Sequence, residues 1–203
     1  MKPVSKLTPG MTVPPFQVKT LHGKLVPVPN SLTRFVHLQF RRFAGCPLCN
    51  THLRSFVKRA QELEQAGIHE IIFFHSSPAL LNKYEHDIPF DLVADPDKKF
   101  YRQFGVETSA KALFHPAIIK ALFKSLKTEK IAFPKVENGR LGLPADILID
   151  SNGQIIASKY GLHAYDHWEV SELLELANNR APIGKSSQTT GSNQNSTCCK
   201  AHD

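Results

Sequence analysis

The chain has 203 residues, 41% hydrophobic and 21% charged, with a formal net charge of +7 and a pI near 9.3. That length supports one domain with a real core, burying roughly 70% of its unfolded surface, and no stretch approaches the roughly 20 apolar residues that cross a bilayer. The basic residues are scattered and not interleaved with aromatics, which argues against a nucleic-acid surface. Residues Met1 to Phe16 are proline-bearing and contain no apolar run of signal-peptide type, so the expected compartment is the cytoplasm.

Taken in chain order, Phe16 to Val28 reads as a hairpin turning at His22-Gly23. Arg34 to Phe40, RFVHLQF, alternates apolar and polar residues and predicts a strand that leads into Cys46-Pro47-Leu48-Cys49. From Asn50 to Ala66, Leu53, Phe56, Val57, Ala60 and Leu63 recur at helical spacing, and Gly67 ends the helix. Glu70 to His75 is an apolar run of strand length, and Pro78 to His86 predicts a short helix. Residues 90 to 106 read as a strand, an Asp-Pro-Asp turn and a helix from Lys98 to Phe104 stopped by Gly105. Pro116 to Lys127 predicts a helix whose Lys120, Lys124 and Lys127 form a solvated face. Ile147 to Asp150 and Gln154 to Tyr160 flank Ser151-Asn152-Gly153, a hairpin signal. The last helix is expected over Trp168 to Asn178, with Asp166 as its N-cap. From Ala181 to Asp203 the chain is polar and low in apolar residues. It divides into a domain over 1–180 and a disordered tail over 181–203.

Four cysteines fall in two pairs, Cys46/Cys49 and Cys198/Cys199. In a reducing compartment a close pair points to redox chemistry or metal. A helix N-terminus presents unpaired N–H groups and the positive end of the helix dipole, which stabilises a thiolate there. Cys46, at the mouth of the helix, is therefore the expected nucleophile. Cys49, three residues on, is placed to attack a disulfide or oxidised sulfur on Cys46. Pro47 suits the first helical position, and Gly45 keeps the approach to the sulfur open. Arg41, Arg42 and Arg54 add positive charge nearby. His52 is a candidate base, although its spacing fits a solvent-facing position. The competing reading is a zinc half-site, for which His163 and His167 have suitable spacing but sit where a loop opens a helix.

Three segments, FRRFAGCPLCNTHLRSF, LVADPDKKFYRQFGV and GRLGLPADILIDSNGQIIASKYGLHAYDHW, resemble the peroxiredoxin-like branch of the alkyl hydroperoxide reductase/thiol-specific antioxidant (AhpC/TSA) superfamily, over roughly residues 10 to 178. The resemblance implies an α/β thioredoxin-like fold, a central mixed sheet flanked by helices, with an N-terminal hairpin and a peroxiredoxin-type insertion. It implies that Pro144 follows a cis peptide bond and faces the CxxC to position substrate. It also exposes departures. The place of the family's peroxide-polarising Thr is Phe43, that of its Pro is Gln39, and that of its late Arg is Pro144, with Arg140 nearby as a candidate thiolate-stabilising group alongside Arg42 and Arg54.

The resulting expectation is a cofactor-free, thiol-dependent oxidoreductase with a dithiol/disulfide centre and antioxidant or disulfide reductase activity. The alternative is a slow thiol peroxidase acting on hydroperoxides, and a second alternative is a redox-sensing binding module using the basic helix over 116–127. The expected partners are an external thiol reductant of thioredoxin or glutathione type, together with a protein disulfide or hydroperoxide substrate. Cys198 and Cys199 are a candidate relay, because a flexible linker of about 18 residues reaches roughly 20 to 25 Å.

Overall fold

The computed structural model describes residues 5–84, 87–106 and 142–179. The expected helix over 116–127, Arg140, the polar tail and Cys198/Cys199 lie outside the described residues. The hairpin forms as β1 (Phe16–Lys19) and β2 (Leu25–Val28), antiparallel, with Thr20 donating its N–H to the Lys24 carbonyl across the turn. It is followed by β3 (Phe35–Phe40), α1 (Pro47–Lys58), α2 (Ala60–Gln65) and β4 (Ile68–Phe74). Next come α3 (Pro78–Tyr84), β5 (Asp91–Ala94) and α4 (Lys99–Gln103). The described chain closes with β6 (Ala145–Asp150), β7 (Ile155–Tyr160) and α5 (Val170–Asn178).

Five strands make one mixed sheet in the order β5-β4-β3-β6-β7. β3 lies at its centre, parallel to β4 and antiparallel to β6, and all six of its residues are buried. One face of the sheet packs Phe35, Ile72, Phe74 and Leu148 against Leu53 and Phe56 of α1, Leu63 of α2, Leu81 of α3 and Leu173 of α5. The opposite face packs Val36, Leu38, Phe40, Phe73 and Ile147 against Val18 and Val26 of the hairpin, Tyr101 of α4 and Phe104 after it. Burial on both sides makes β3 rigid, and its C-terminal end delivers the chain to the CxxC.

Three local expectations are corrected and one cap is added. The single helix over Asn50 to Ala66 is two, because Arg59 leaves helical geometry (φ −115°, ψ 21°) between α1 and α2. The N-cap of α5 is Glu169, in a reciprocal capping box with Glu172, while Asp166 accepts the Leu162 N–H and pairs with Lys159. The short helix α4 is capped by Asp95, whose carboxylate accepts the N–H groups of Lys99 and Phe100 at 2.8 Å each. The Leu143–Pro144 bond is not cis; the cis peptide among the described residues is Val28–Pro29. Pro144 sits one residue before the first ladder pair, Phe40 with Ala145, so its missing N–H leaves no ladder bond unmade and no special geometry is needed.

Phe56 is fully buried between α1 and the sheet, whereas Leu32 is 91% exposed. Phe56→Ala should cost about 3–5 kcal/mol and Leu32→Ala less than about 0.5 kcal/mol, read as shifts in the urea midpoint at constant m-value. Equal shifts would contradict this packing.

Candidate active site

Gly45 has φ +74°, a left-handed conformation that glycine adopts without strain, and the chain turns there from the end of β3 into α1. Cys46 is the N-cap residue and Pro47 the first residue of α1. The sulfur of Cys46 thus sits at the positive end of a 12-residue helix with no acidic residue in its first turn. Arg42, buried, donates from Nη1 to Cys46 Sγ at 3.8 Å. Neither cysteine is in a disulfide, and both are nearly inaccessible, Cys46 at 2% and Cys49 at 1% exposure, packed with Phe43, Ala164 and Tyr165. The Cys49 thiol is pushed well above its usual range, first by the hydrogen bond it donates to Cys46 and then by burial. It therefore holds its proton while Cys46 accepts.

Beneath α1 lies a cluster of buried polar side chains. His37 and Gln39 of β3, Glu70 of β4 and Asp146 of β6 are all within 3% exposure. Their alternation along the strands puts them on the α1 side of the sheet, which the helices cover. His37 Nδ1 lies 2.9 Å from Glu70 Oε2, and its Nε2 lies 3.4 Å from Asp146 Oδ1. Burial alone would lower the His37 value, but the charges and hydrogen bonds of Glu70 and Asp146 reverse this and raise it to about 9. Burial would likewise raise the carboxyl of Asp146, and His167 and His37 instead hold it far below the carboxylate range.

Gln39 ties this group to the helix. Its Nε2 donates to Glu70 Oε2 at 2.6 Å, and its Oε1 accepts from Arg41 Nε at 2.9 Å. Fully buried Arg41 then donates to the Cys49 carbonyl at 3.2 Å and meets His52 Nδ1 at 3.0 Å. A guanidinium only donates, so His52 Nδ1 accepts and its proton is on Nε2, which donates to the Trp168 carbonyl at 2.9 Å. Burial, and then the Arg41 charge, push His52 well below its usual value, so it is neutral. The solvent-facing reading of His52 is thereby corrected: it is 2% exposed, because α5 and the preceding loop cover that side of α1.

The remaining expected residues are dispersed. Arg54 is exposed and borders a shallow cavity with Asn50, Leu53 and Val57. Pro144 is buried at the start of β6, where its carbonyl accepts the Gly161 N–H at 2.9 Å. A side chain at Gly161 would place Cβ 2.6 Å from Pro144 Cγ, so the two close the sheet end together. Phe43 is buried against the cysteines. Among the described residues no group of three or more His, Cys, Asp or Glu side chains is arranged to hold a metal ion. No described helix is long and apolar enough to cross a membrane.

The AhpC/TSA family model matches residues 9–158, and the chain belongs to that family of thiol oxidoreductases. Solved structures agree on the fold. Peroxidoxin BcpB of Mycobacterium tuberculosis is 14% identical with a TM-score of 0.60, covering 87% of this chain and 99% of its own. The reduced 2-Cys peroxiredoxin of Plasmodium vivax is 13% identical with a TM-score of 0.59, covering 85% and 81%. The bacterioferritin comigratory protein of Xanthomonas campestris, described for its alkyl peroxide reduction activity, is 14% identical with a TM-score of 0.58, covering 81% and 91%. No curated protein matches the sequence.

The folded-state value of His37 lies above its ordinary 6.5, so its contribution to stability is complete below about pH 6.5 and is lost as pH rises through about 9. The loss should be on the order of 2–3 kcal/mol, read from urea midpoints across that window. His52 and His75 are both lowered, His75 to about 4, so they act in the opposite sense, below pH 6.5. A midpoint that rises steadily from pH 6.5 to 9 would contradict the charged state of His37.

Proposed function

We propose that the protein is a thiol peroxidase that reduces small hydroperoxides, with Cys46 as the peroxidatic thiolate and Cys49 as the resolving thiol. The observation that carries this reading is Cys46 in the N-cap of α1 with Arg42 3.8 Å from its sulfur, in a chain whose residues 9–158 match the AhpC/TSA family. The family favours this alternative over the expected disulfide reductase. The burial of both sulfurs behind Phe43, Ala164 and Tyr165 supports the same choice. A hydroperoxide is small enough to enter such a site, whereas a disulfide on a folded protein must first displace the covering loop.

The thiolate attacks the terminal peroxide oxygen, giving a sulfenic acid on Cys46 and an alcohol or water. Cys49 then attacks the Cys46 sulfur and closes the disulfide. An external thiol of thioredoxin or glutathione type restores the dithiol in a reducing compartment such as the cytoplasm. Arg42 supplies positive charge at the thiolate. Pro47 and Gly45 shape the entry to the helix, and Arg54, Arg140 and the Cys198/Cys199 relay are not required by this scheme.

Cys46→Ser should abolish peroxide consumption, while Cys49→Ser should still oxidise once and accumulate sulfenic acid or mixed disulfide. Because Phe43 and Pro144 stand where donors to the peroxide are expected, and each lost preorganised donor costs about 10²- to 10³-fold, the hydrogen peroxide rate constant should fall well below that of peroxiredoxins with the full donor set. Rates with hydrogen peroxide, an organic hydroperoxide and a protein disulfide, measured side by side, check the assignment. Faster turnover of the protein disulfide than of either peroxide would overturn it.

A further inference from the structure

Resolution of an oxidised Cys46 requires Cys49 to lose a proton that its surroundings hold tightly. The hydrogen bond it donates to the Cys46 thiolate is lost once Cys46 is a sulfenic acid, but burial still raises this thiol, and a buried thiol of that kind reacts slowly unless a base is at hand. His52 cannot be that base. Its Nδ1 lone pair is taken by Arg41 and its Nε2 proton by the Trp168 carbonyl.

His167 is different. Its ring stacks on His52 at 4.8 Å, and His52 lies one helical turn beyond Cys49 on α1. Its Nδ1 lies 3.1 Å from Asp146 Oδ2, and both side chains are within 1% exposure. A carboxylate accepts and cannot donate, so Nδ1 carries a proton, and whenever the ring holds only one proton its lone pair is on Nε2. That Nε2 is buried and has no hydrogen-bond partner among the described residues. The loop that carries the ring packs Ala164 and Tyr165 against Cys46 and Cys49. Asp146 is itself fixed by His37 and by the Trp168 N–H at 3.2 Å, so the imidazole cannot turn over without breaking the buried group.

We propose that His167, oriented by Asp146, is the proton acceptor and donor for the Cys49 step. His167 Nε2 takes the Cys49 proton, and the resulting thiolate attacks the sulfur of the Cys46 sulfenic acid. The S–S bond forms as the S–O bond breaks, and the departing hydroxide takes the proton from His167 to leave as water. Cys49 is oxidised and the sulfenic sulfur reduced, and no further reactant is needed. This rests on the reading of Cys46 and Cys49 as peroxidatic and resolving thiols.

The groups that set the pH dependence come from each element around His167. Asp146 faces it from β6, His52 and Cys49 from α1, and His37 acts across Asp146 from β3. Arg41 bears on it through His52, and Lys159 of β7 donates to the His167 carbonyl at 2.9 Å.

The test mixes reduced protein with hydrogen peroxide, quenches with acid, and follows sulfenic acid and Cys46–Cys49 disulfide separately by intact mass in wild type and His167→Gln. General base catalysis is typically worth about 10²- to 10⁴-fold, so disulfide closure should slow about 100-fold in the variant. This loss should exceed that in Cys46 oxidation at least tenfold, and closure should recover as pH rises. Closure within threefold of wild type, or equal slowing of both steps, would overturn the role of His167 alone. If wild type itself forms no Cys46–Cys49 disulfide with peroxide, the peroxidase reading fails first and the inference with it. Should His167→Gln not fold, the wild-type closure rate decides: slower in heavy water supports proton transfer in the step, and identical rates in the two solvents overturn it.

Discussion

A carboxylate with no exposed surface, Asp146, is held between two imidazoles under the helix that carries the cysteines. The rest of the site follows from the need to satisfy that charge. An isolated buried carboxylate costs several kcal/mol, so His37 stays protonated against it. The His37 charge in turn needs Glu70 on its other nitrogen. Glu70 accepts from Gln39, Gln39 accepts from Arg41, and Arg41 reaches the backbone of Cys49 and the ring of His52. One chain of charges and hydrogen bonds therefore runs from the centre of the sheet to the first turn of α1. It locates both thiols relative to the strands.

This group is placed where a hydrophobic core would be simpler. Replacing buried ion pairs by apolar residues is often neutral or stabilising, whereas removing one partner typically costs about 3–5 kcal/mol. Stability comes mainly from the two apolar clusters on either side of the sheet. The polar group contributes position and protonation state. It keeps His52 neutral and directs the lone pair of His167 away from Asp146. Together with Arg42 at Cys46 and the raised Cys49 thiol, it makes the two cysteines chemically unlike although they share a turn of helix.

Much of the frame was legible in the sequence. Alternation in RFVHLQF and the apolar runs at 70–75 and 147–150 correspond to β3, β4 and β6, and the turns at His22-Gly23 and Ser151-Asn152-Gly153 to the β1–β2 and β6–β7 connections. The CxxC at a strand-to-helix turn was legible because a buried strand followed at once by Cys-Pro has few other uses. The polar cluster was not. Period-two alternation reports which side chains share a face but not what covers it, so it does not show that α1 lies over His37 and Gln39. Glu70 and Asp146 stand at the starts of apolar runs, where a charge ordinarily marks a strand end; their shared face with His37 is visible only from the strand register. In the sequence His52 reads as a candidate base at a solvent-facing spacing and His167 as half of a metal spacing, because their partners come from β6, the end of β3 and the segment before α5. Asp166 and Glu169 compete as caps, and the deciding signal, Glu172 three residues after Glu169, was present in the sequence.

Protonation states are the centre of this account, and nitrogen chemical shifts of the histidine side chains in uniformly labelled reduced protein near neutral pH read them directly. His37 should be doubly protonated, His52 neutral with its proton on Nε2, and His167 protonated at the Nδ1 that faces Asp146. A neutral His37, or a His167 with its proton on Nε2 and none on Nδ1, would contradict the buried charge that the rest of the structure is built around.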